Sequence, residues 1–248
     1  MPLLNIQDLV VVRSRNSPPV LNGVSLCLDR GEKVAILGPS GAGKTTLFRA
    51  INGFVPIQSG NISVDGISVG RLRGKRLRQL RRHIAVISQR HDLVDRLRVY
   101  QNVMAGAMGR WPAWRALRFL VWPRADELDE AAQALLRVGI ADKLRGRTSE
   151  VSGGEHQRIA IARALVQHPS LLLADEPIAS LDPELSHQIL SLLCTLAAER
   201  GFALFCSLHQ TEYAYKYFDR VIRIDRGVIE EQPSPASAAS QPRLQVGD

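Results

Sequence analysis

The chain has 248 residues, 45% of them hydrophobic and 23% charged, which excludes a wholly disordered polypeptide and leaves room for about one large domain. Its 32 Lys+Arg against 24 Asp+Glu give a net charge of +8; such a surface favours anionic partners without choosing among nucleotides, nucleic acid and an anionic membrane face. The three cysteines, Cys27, Cys194 and Cys206, are scattered and form no CxxC, which excludes a disulfide framework and a zinc ribbon and suits a reducing compartment.

At the N-terminus, Met1-Pro2-Leu3-Leu4-Asn5 has no basic region leading into a long apolar one, so no secretory leader is expected. Nowhere does the sequence approach the ~20 apolar residues a spanning helix needs. Apolar runs at Leu9–Val12, Val20–Leu28, Lys33–Leu37 and Asn61–Val64 predict short strands, with turns at Pro18-Pro19, Asp29-Arg30-Gly31 and Asp65-Gly66.

Gly38-Pro39-Ser40-Gly41-Ala42-Gly43-Lys44-Thr45 fits GxxxxGK[ST], between a strand at Val34–Leu37 and a helix opening at Thr46–Ile51. Glycines there let backbone N–H groups turn inward around phosphate oxygens, and a helix N-terminus adds partial positive charge. Lys44 is expected on the β- and γ-phosphates, Thr45 Oγ on Mg²⁺, and Thr46 beside them. An ordinary glycine-rich turn would need neither the strand before nor the helix after. The motif implies a nucleoside triphosphate, with kinases, GTPases, helicases and transport ATPases all still open.

Residues 71–82 carry Arg71, Arg73, Lys75, Arg76, Arg78, Arg81 and Arg82 around an apolar helical face of Leu77 and Leu80. A solvated face is the plain expectation, a phospholipid- or transporter-facing patch the alternative. Ile84–Ser88 predicts a strand. From about Asp92 to Val151 the pattern is helical, with Leu128, Ala131, Leu135 and Val138 on one face and breaks at Pro112 and Pro123. Trp111, Trp114, Trp122 and Phe119 form an aromatic cluster in this stretch, expected either to pack as its core or to line a groove for a partner helix.

After Gly154 a helix is expected through Leu165, then a buried strand, Leu171–Ala174, ending in Asp175 and Glu176. At that edge Asp175 is placed to hold Mg²⁺, and Glu176 to orient or deprotonate an attacking water. Strands at Ala203–Ser207 and Val221–Ile224 continue the alternation, which argues for an α/β fold with a parallel sheet flanked by helices. Gln232–Asp248, rich in Pro, Ser, Ala and Gln, is expected to be a mobile tail. His83, His91, His168 and His187 carry no motif.

Val151-Ser152-Gly153-Gly154-Glu155-His156-Gln157-Arg158 resembles the LSGGQ signature of ABC-transporter ATPases, and it precedes Asp175-Glu176 as in that family. The resemblance spans about Leu3 to Glu230. It implies a P-loop NTPase core, mainly parallel sheet, with an N-terminal antiparallel β subdomain and an α-helical subdomain inserted at about 90–151, the whole ATPase domain covering 1–231. It also implies that Ser152, Gly153 and Gly154 bind the γ-phosphate of ATP held by a second copy. Gln89 resembles the Q-loop glutamine that senses Mg²⁺ and the attacking water, Ser180-Leu181-Asp182 the D-loop that crosses the dimer interface, and His209 the switch histidine on the γ-phosphate. ATP and Mg²⁺ are the implied cofactors. The implied partners are a second copy in an ATP-sandwich dimer, membrane-spanning permease subunits and, indirectly, a solute-binding protein, without nucleic acid. The place implied is the cytoplasmic face of the inner membrane. Ala174–Pro183 and Ser207-Leu208-His209-Gln210 resemble the phosphonate-import subgroup, so uptake of phosphonate or a related phosphorus oxyanion is expected. Another small solute such as an amino acid, a non-transport ABC ATPase and a P-loop kinase are the alternatives.

Two departures stand out. No aromatic residue precedes Phe48, although the family stacks one on adenine, so Arg13 or Arg15 is expected to stack a guanidinium instead. Glu155 replaces the signature glutamine; Arg158, at i,i+3, is its expected partner, and reduced turnover its expected consequence.

Overall fold

The computed structural model describes residues 1–14, 17–89 and 91–231. Arg15 and the expected tail, 232–248, lie outside these. Strands β1 (Leu4–Val12) and β2 (Pro19–Leu28) pair antiparallel, with Leu4 opposite Leu28 and Val12 opposite Pro19. β1 begins five residues before the predicted Leu9, because the polar pair Gln7-Asp8 is absorbed as a register shift with Asp8 at φ 47°. A bulge of this kind inserts a residue without ending the strand.

Strand β3 (Lys33–Leu37) opens the second sheet and is followed by helix α1 (Lys44–Ile51). Strands β4 (Ser59–Val64) and β5 (Ile67–Ser68) return to the first sheet, ordered β2-β1-β4-β5 and antiparallel throughout. Helix α2 (Gly74–Arg81) and strand β6 (Ile84–Ile87) precede three helices, α3 (Val99–Met104), α4 (Ala113–Val121) and α5 (Ala125–Arg137). Pro112 caps the start of α4, and Pro123 lies between α4 and α5, as the breaks predicted. Helix α6 (Gly153–Val166) leads into β7 (Leu171–Asp175), α7 (Pro183–Arg200), β8 (Ala203–Leu208), α8 (Thr211–Tyr217), β9 (Arg220–Asp225) and β10 (Val228–Glu231).

The second sheet has the order β10-β9-β3-β8-β7-β6, parallel except for the β9–β10 hairpin. Its central strands are buried on both faces, which is why they read as unbroken apolar runs. Val34, Ile36, Leu171, Leu173 and Phe205 pack toward α1 and the antiparallel sheet. Ala35, Leu37, Leu172, Ala174 and Leu204 share the other core with Val103, Phe119 and Leu135 of the helical stretch and Ile159 of α6. The order β3-β8-β7 sets the C-terminal ends of three parallel strands side by side, where open α/β sheets bind ligands.

Two surface expectations hold only in part: Arg71, Arg73, Lys75, Arg76 and Arg78 are exposed as expected, and of the aromatic residues only some pack as core. Trp111 is buried against Phe119, ring centroids 5.3 Å apart, but Trp114 and Trp122 are 65% and 76% exposed, so the aromatic residues do not form one core. In the basic run Arg81 does not face solvent: it donates to Asn52 O and Gly53 O and lies 4.0 Å over the Phe54 ring.

Candidate active site

The phosphate loop joins β3 to α1, and its glycines have steric reasons. Gly41 and Gly43 have φ of 83° and 111°, the left-handed region where a side chain is strained. A Cβ on Gly38 would stand 2.3 Å from Ile224 O, so the loop presses directly on β9. Lys44 opens α1 with its side chain buried. Its Nζ donates to Gly38 O at 2.6 Å and Pro39 O at 3.2 Å, and stands 3.7 Å from Glu176 Oε1. Burial pushes the ammonium below its usual pKa, and the charges of Glu176 and Asp175 work against that fall.

Asp175 ends β7 almost buried, and Glu176 follows with φ 51°, an unfavourable backbone for a non-glycine residue that sites of chemistry hold. Ser207 on β8 fixes both acids. Its Oγ donates to Asp175 Oδ1 at 2.8 Å and accepts from Glu176 N–H at 2.9 Å. His209 follows β8, and its Nε2 lies 2.6 Å from Glu176 Oε1. Glu176 Oε1 therefore sits between a lysine and a histidine.

A cavity of about 390 Å³ is lined by Arg13, Pro39, Ser40, Gly43, Lys44, Thr45, Thr46, Gln89 and Glu176, among others. An adjoining one of about 300 Å³ shares Thr45 and Gln89 and adds Asp175. The hydroxyl, amide and carboxylate oxygens of these three are hard donors suited to Mg²⁺. Arg13, unlike Arg15, can thus be placed beside the loop. A further cavity, about 500 Å³, lies across Gly38 and Pro39 between His209 and Asp225.

The signature residues are not brought to this cavity. Ser152 caps α6, accepting from Glu155 N–H through its Oγ, while Ser152 N–H donates to Glu155 Oε2 at 2.7 Å. Gly154 would clash with Leu185 if it bore a Cβ, whereas Gly153 faces open space. Asp182 caps α7, accepting from Leu185 N–H. The expected Glu155–Arg158 pair is absent: Glu155 pairs with Lys143 at 3.1 Å, and Arg158 donates to Val138 O and Gln188 Oε1. The Ser152 N–H and then Lys143 hold the Glu155 carboxyl below its usual range, burial opposing them between the two.

Sequence reasoning missed Ser207 and Arg163. Arg163 of α6 donates to His91 O and Asp92 O, tying the segment after Gln89 to the helix that carries the signature. Ser207 was legible in principle as a polar residue in the otherwise apolar run Ala203–Leu208.

A family profile described as ABC transporter matches residues 21–179. The phosphonates import ATP-binding protein of Frankia casuarinae is 46% identical over 84% of this chain and 82% of its own length. The cbiO1 structure from Clostridium perfringens, described as part of an ABC transporter complex, is 30% identical with a TM-score of 0.82, covering 97% of this chain and 91% of its own. A bacterial ABC transporter cassette solved as a dimer has 26% identity and a TM-score of 0.81 over 93% and 98%.

Proposed function

This chain belongs to the ABC transporter family, and we propose that it is the ATP-hydrolysing subunit of an importer for phosphonate or a related phosphorus oxyanion. The observation that carries the ATPase reading is Glu176 Oε1 held 2.6 Å from His209 Nε2 and 3.7 Å from Lys44 Nζ at the mouth of the phosphate loop. The solute follows from the relative's name and from 46% identity across most of both chains.

In this reading two copies face each other, since Ser152, Gly153, Gly154 and Asp182 lie away from the chain's own phosphate loop and need a second nucleotide to serve. Gly38, Pro39, Ser40, Gly41, Ala42, Gly43 and Thr46 cradle the phosphates. Lys44 exchanges its loop carbonyls for β- and γ-oxygens. Thr45, Gln89 and Asp175 would hold Mg²⁺, which would supply positive charge against the triphosphate. Glu176 accepts the proton of the attacking water as the bond between γ-phosphorus and the bridging oxygen breaks, leaving ADP and phosphate. His209 fixes the Glu176 carboxylate and meets the γ-phosphate. Arg13 stacks on the base, and Glu155 lowers turnover. Residues 90–151 act as a helical subdomain within an ATPase domain of 1–231. Permease subunits carry the motion into the inner membrane, and a solute-binding protein supplies the cargo; among the described residues no helix is long and apolar enough to cross a membrane.

The test is Glu176→Gln. It should retain ATP, cut turnover by about 10²–10⁴-fold, and sediment as a dimer with Mg·ATP. Wild-type turnover in this variant, or a strictly monomeric variant even with its permease, removes the reading. For the cargo, uptake of a labelled alkylphosphonate should require the chain; uptake independent of it rejects that assignment.

A further inference from the structure

Away from the nucleotide site, four arginines gather around a cavity of about 150 Å³ where α2, the turn of 3₁₀-helix at Ala105–Gly109 and the end of α6 meet. Arg78, Arg81 and Arg82 come from α2 and its end, at i, i+3 and i+4, so they share one face. Arg110 follows the 3₁₀ turn, and Gln167 closes the floor by donating to Arg81 O, Arg82 O and Ile84 O. No carboxylate lines the cavity. Among the described residues the one acid bonded to any of the four is Glu130, on Arg110.

Like charges one helical turn apart repel, and no acid on α2 offsets them. Burial also presses on this cluster. Arg82 Nε is buried without a hydrogen-bond partner, and desolvation holds the Arg81 guanidinium below its usual pKa. A buried unpaired donor beside unpaired charge is the arrangement an anion relieves.

We propose that this cavity binds a tetrahedral oxyanion, a phosphate or phosphonate group, through the guanidinium groups of Arg78, Arg82 and Arg110. Guanidinium forks match such oxygens in pairs, and the charges of Arg78, Arg82 and Arg110, less that of Glu130, match a dianion better than a single carboxylate. The occupant bridges α2 to the helical stretch, and so fixes how that stretch sits on the sheet. Free phosphate or phosphonate and a phospholipid headgroup share this chemistry.

The test uses the full chain in a Lys44→Ala background, which silences the phosphate loop. Inorganic phosphate is titrated calorimetrically at constant ionic strength, with and without Arg78→Gln/Arg82→Gln. The double variant should bind about tenfold more weakly or worse, while Arg71→Gln/Arg73→Gln on the exposed side should not. Vesicles of phosphatidylglycerol and of phosphatidylcholine distinguish the source: selective binding to the anionic vesicle, lost with Arg78 and Arg82, assigns a headgroup. Phosphate and vesicle binding both indifferent to these arginines, or a site that loads only with an acidic peptide, overturns the proposal. Should the double variant melt early, Arg110→Gln takes its place, with the same outcomes required.

Discussion

The edge of the parallel sheet and the α4–α5 hairpin place charge in opposite ways. At the sheet edge, apolar strands fill the interior and the charges collect at the strand ends, where Lys44, Asp175, Glu176 and His209 border neighbouring cavities. In the hairpin the charge lies inside. Glu127 is fully buried and accepts from Arg115 Nε at 3.0 Å, from Arg118 Nη2 and from Arg124 N–H at 2.9 Å. Outside stand Trp114, Leu117, Val121 and Trp122, between 65% and 79% exposed. In the proposed function, charge in the first region serves a ligand and is exchangeable. In the second it serves the fold, and the apolar side it displaces outward is left for contact beyond the chain.

The sharpest break is Lys44→Ala. The lysine's two carbonyl contacts are replaceable by phosphate oxygens, each charge-assisted bond being worth roughly 1.5–3 kcal/mol. Triphosphate affinity, followed by equilibrium binding, should fall on the order of a hundredfold or more, with the melting temperature held or raised because a buried cation is gone. Unchanged affinity would return the loop to an ordinary turn.

Glu127→Gln reverses that pattern. Desolvation pushes the Glu127 carboxyl up, but the Arg124 N–H and the Arg118 and Arg115 guanidiniums outweigh it, and the net shift is down. Its stabilisation is therefore full above the ordinary glutamate pKa and is lost as pH falls through the lower folded value. Leaving Arg118 without its acid, and Arg115 with only the more distant Asp126 at 3.7 Å, should cost about 3–5 kcal/mol, read as a lower urea midpoint with ATP affinity unchanged below the transition. A midpoint within error of wild type would make the buried charge incidental.

Ser207→Ala probes whether the sheet edge is positioned or merely crowded. It removes one donor to Asp175 and one acceptor for Glu176 N–H, an effect of about 1–3 kcal/mol. A positioning role predicts that turnover falls about tenfold and the Mg²⁺ requirement rises, with Thr at 207 rescuing both. Loss of stability alone, with kcat intact, would reduce Ser207 to packing.

A smaller effect is expected of Glu155→Gln. The amide oxygen can keep the bond from Ser152 N–H, so only the half-exposed Lys143 pair is lost, worth about 0.2–1 kcal/mol. Because the folded Glu155 carboxyl sits low, wild type should lose that increment as pH falls through its folded value, while the variant stays flat. Relieved of a negative charge beside the signature loop, ATP turnover should rise about two- to threefold.

The sheet edge was legible because its chemistry and its strands are contiguous in sequence. Lys33–Thr45 and Leu171–Glu176 each carry a strand and candidate site residues together, and the order β3-β8-β7 then needs only parallel pairing. Ser207 was missed because its two partners lie 31 and 32 residues away. The hairpin was legible only as helix. Periodicity put Ala131, Leu135 and Val138 inside correctly, but it has no way to bury an acid, and it left Trp114 and Trp122 open between core and groove, of which their exposure removes the core. The Glu155–Lys143 pair joins α6 to a turn before it, beyond the i,i+3 reach from which Arg158 was expected.

The least disturbance should come from the largest side chains. Trp114, Leu117 and Val121 lie on one stripe of α4, at i, i+3 and i+7, and Trp122 follows at its end. If the stripe belonged to the core, Trp114→Ser with Trp122→Ser would cost about 3–5 kcal/mol or more. Exposed as they are, the pair should leave the urea midpoint within about 0.5 kcal/mol of wild type, with ATP affinity intact and solubility improved. The change should surface only in the assembled transporter, as weaker retention of this subunit by its permease. A destabilised double variant would show that the stripe is covered by the chain itself, and the contrast between the two regions would close.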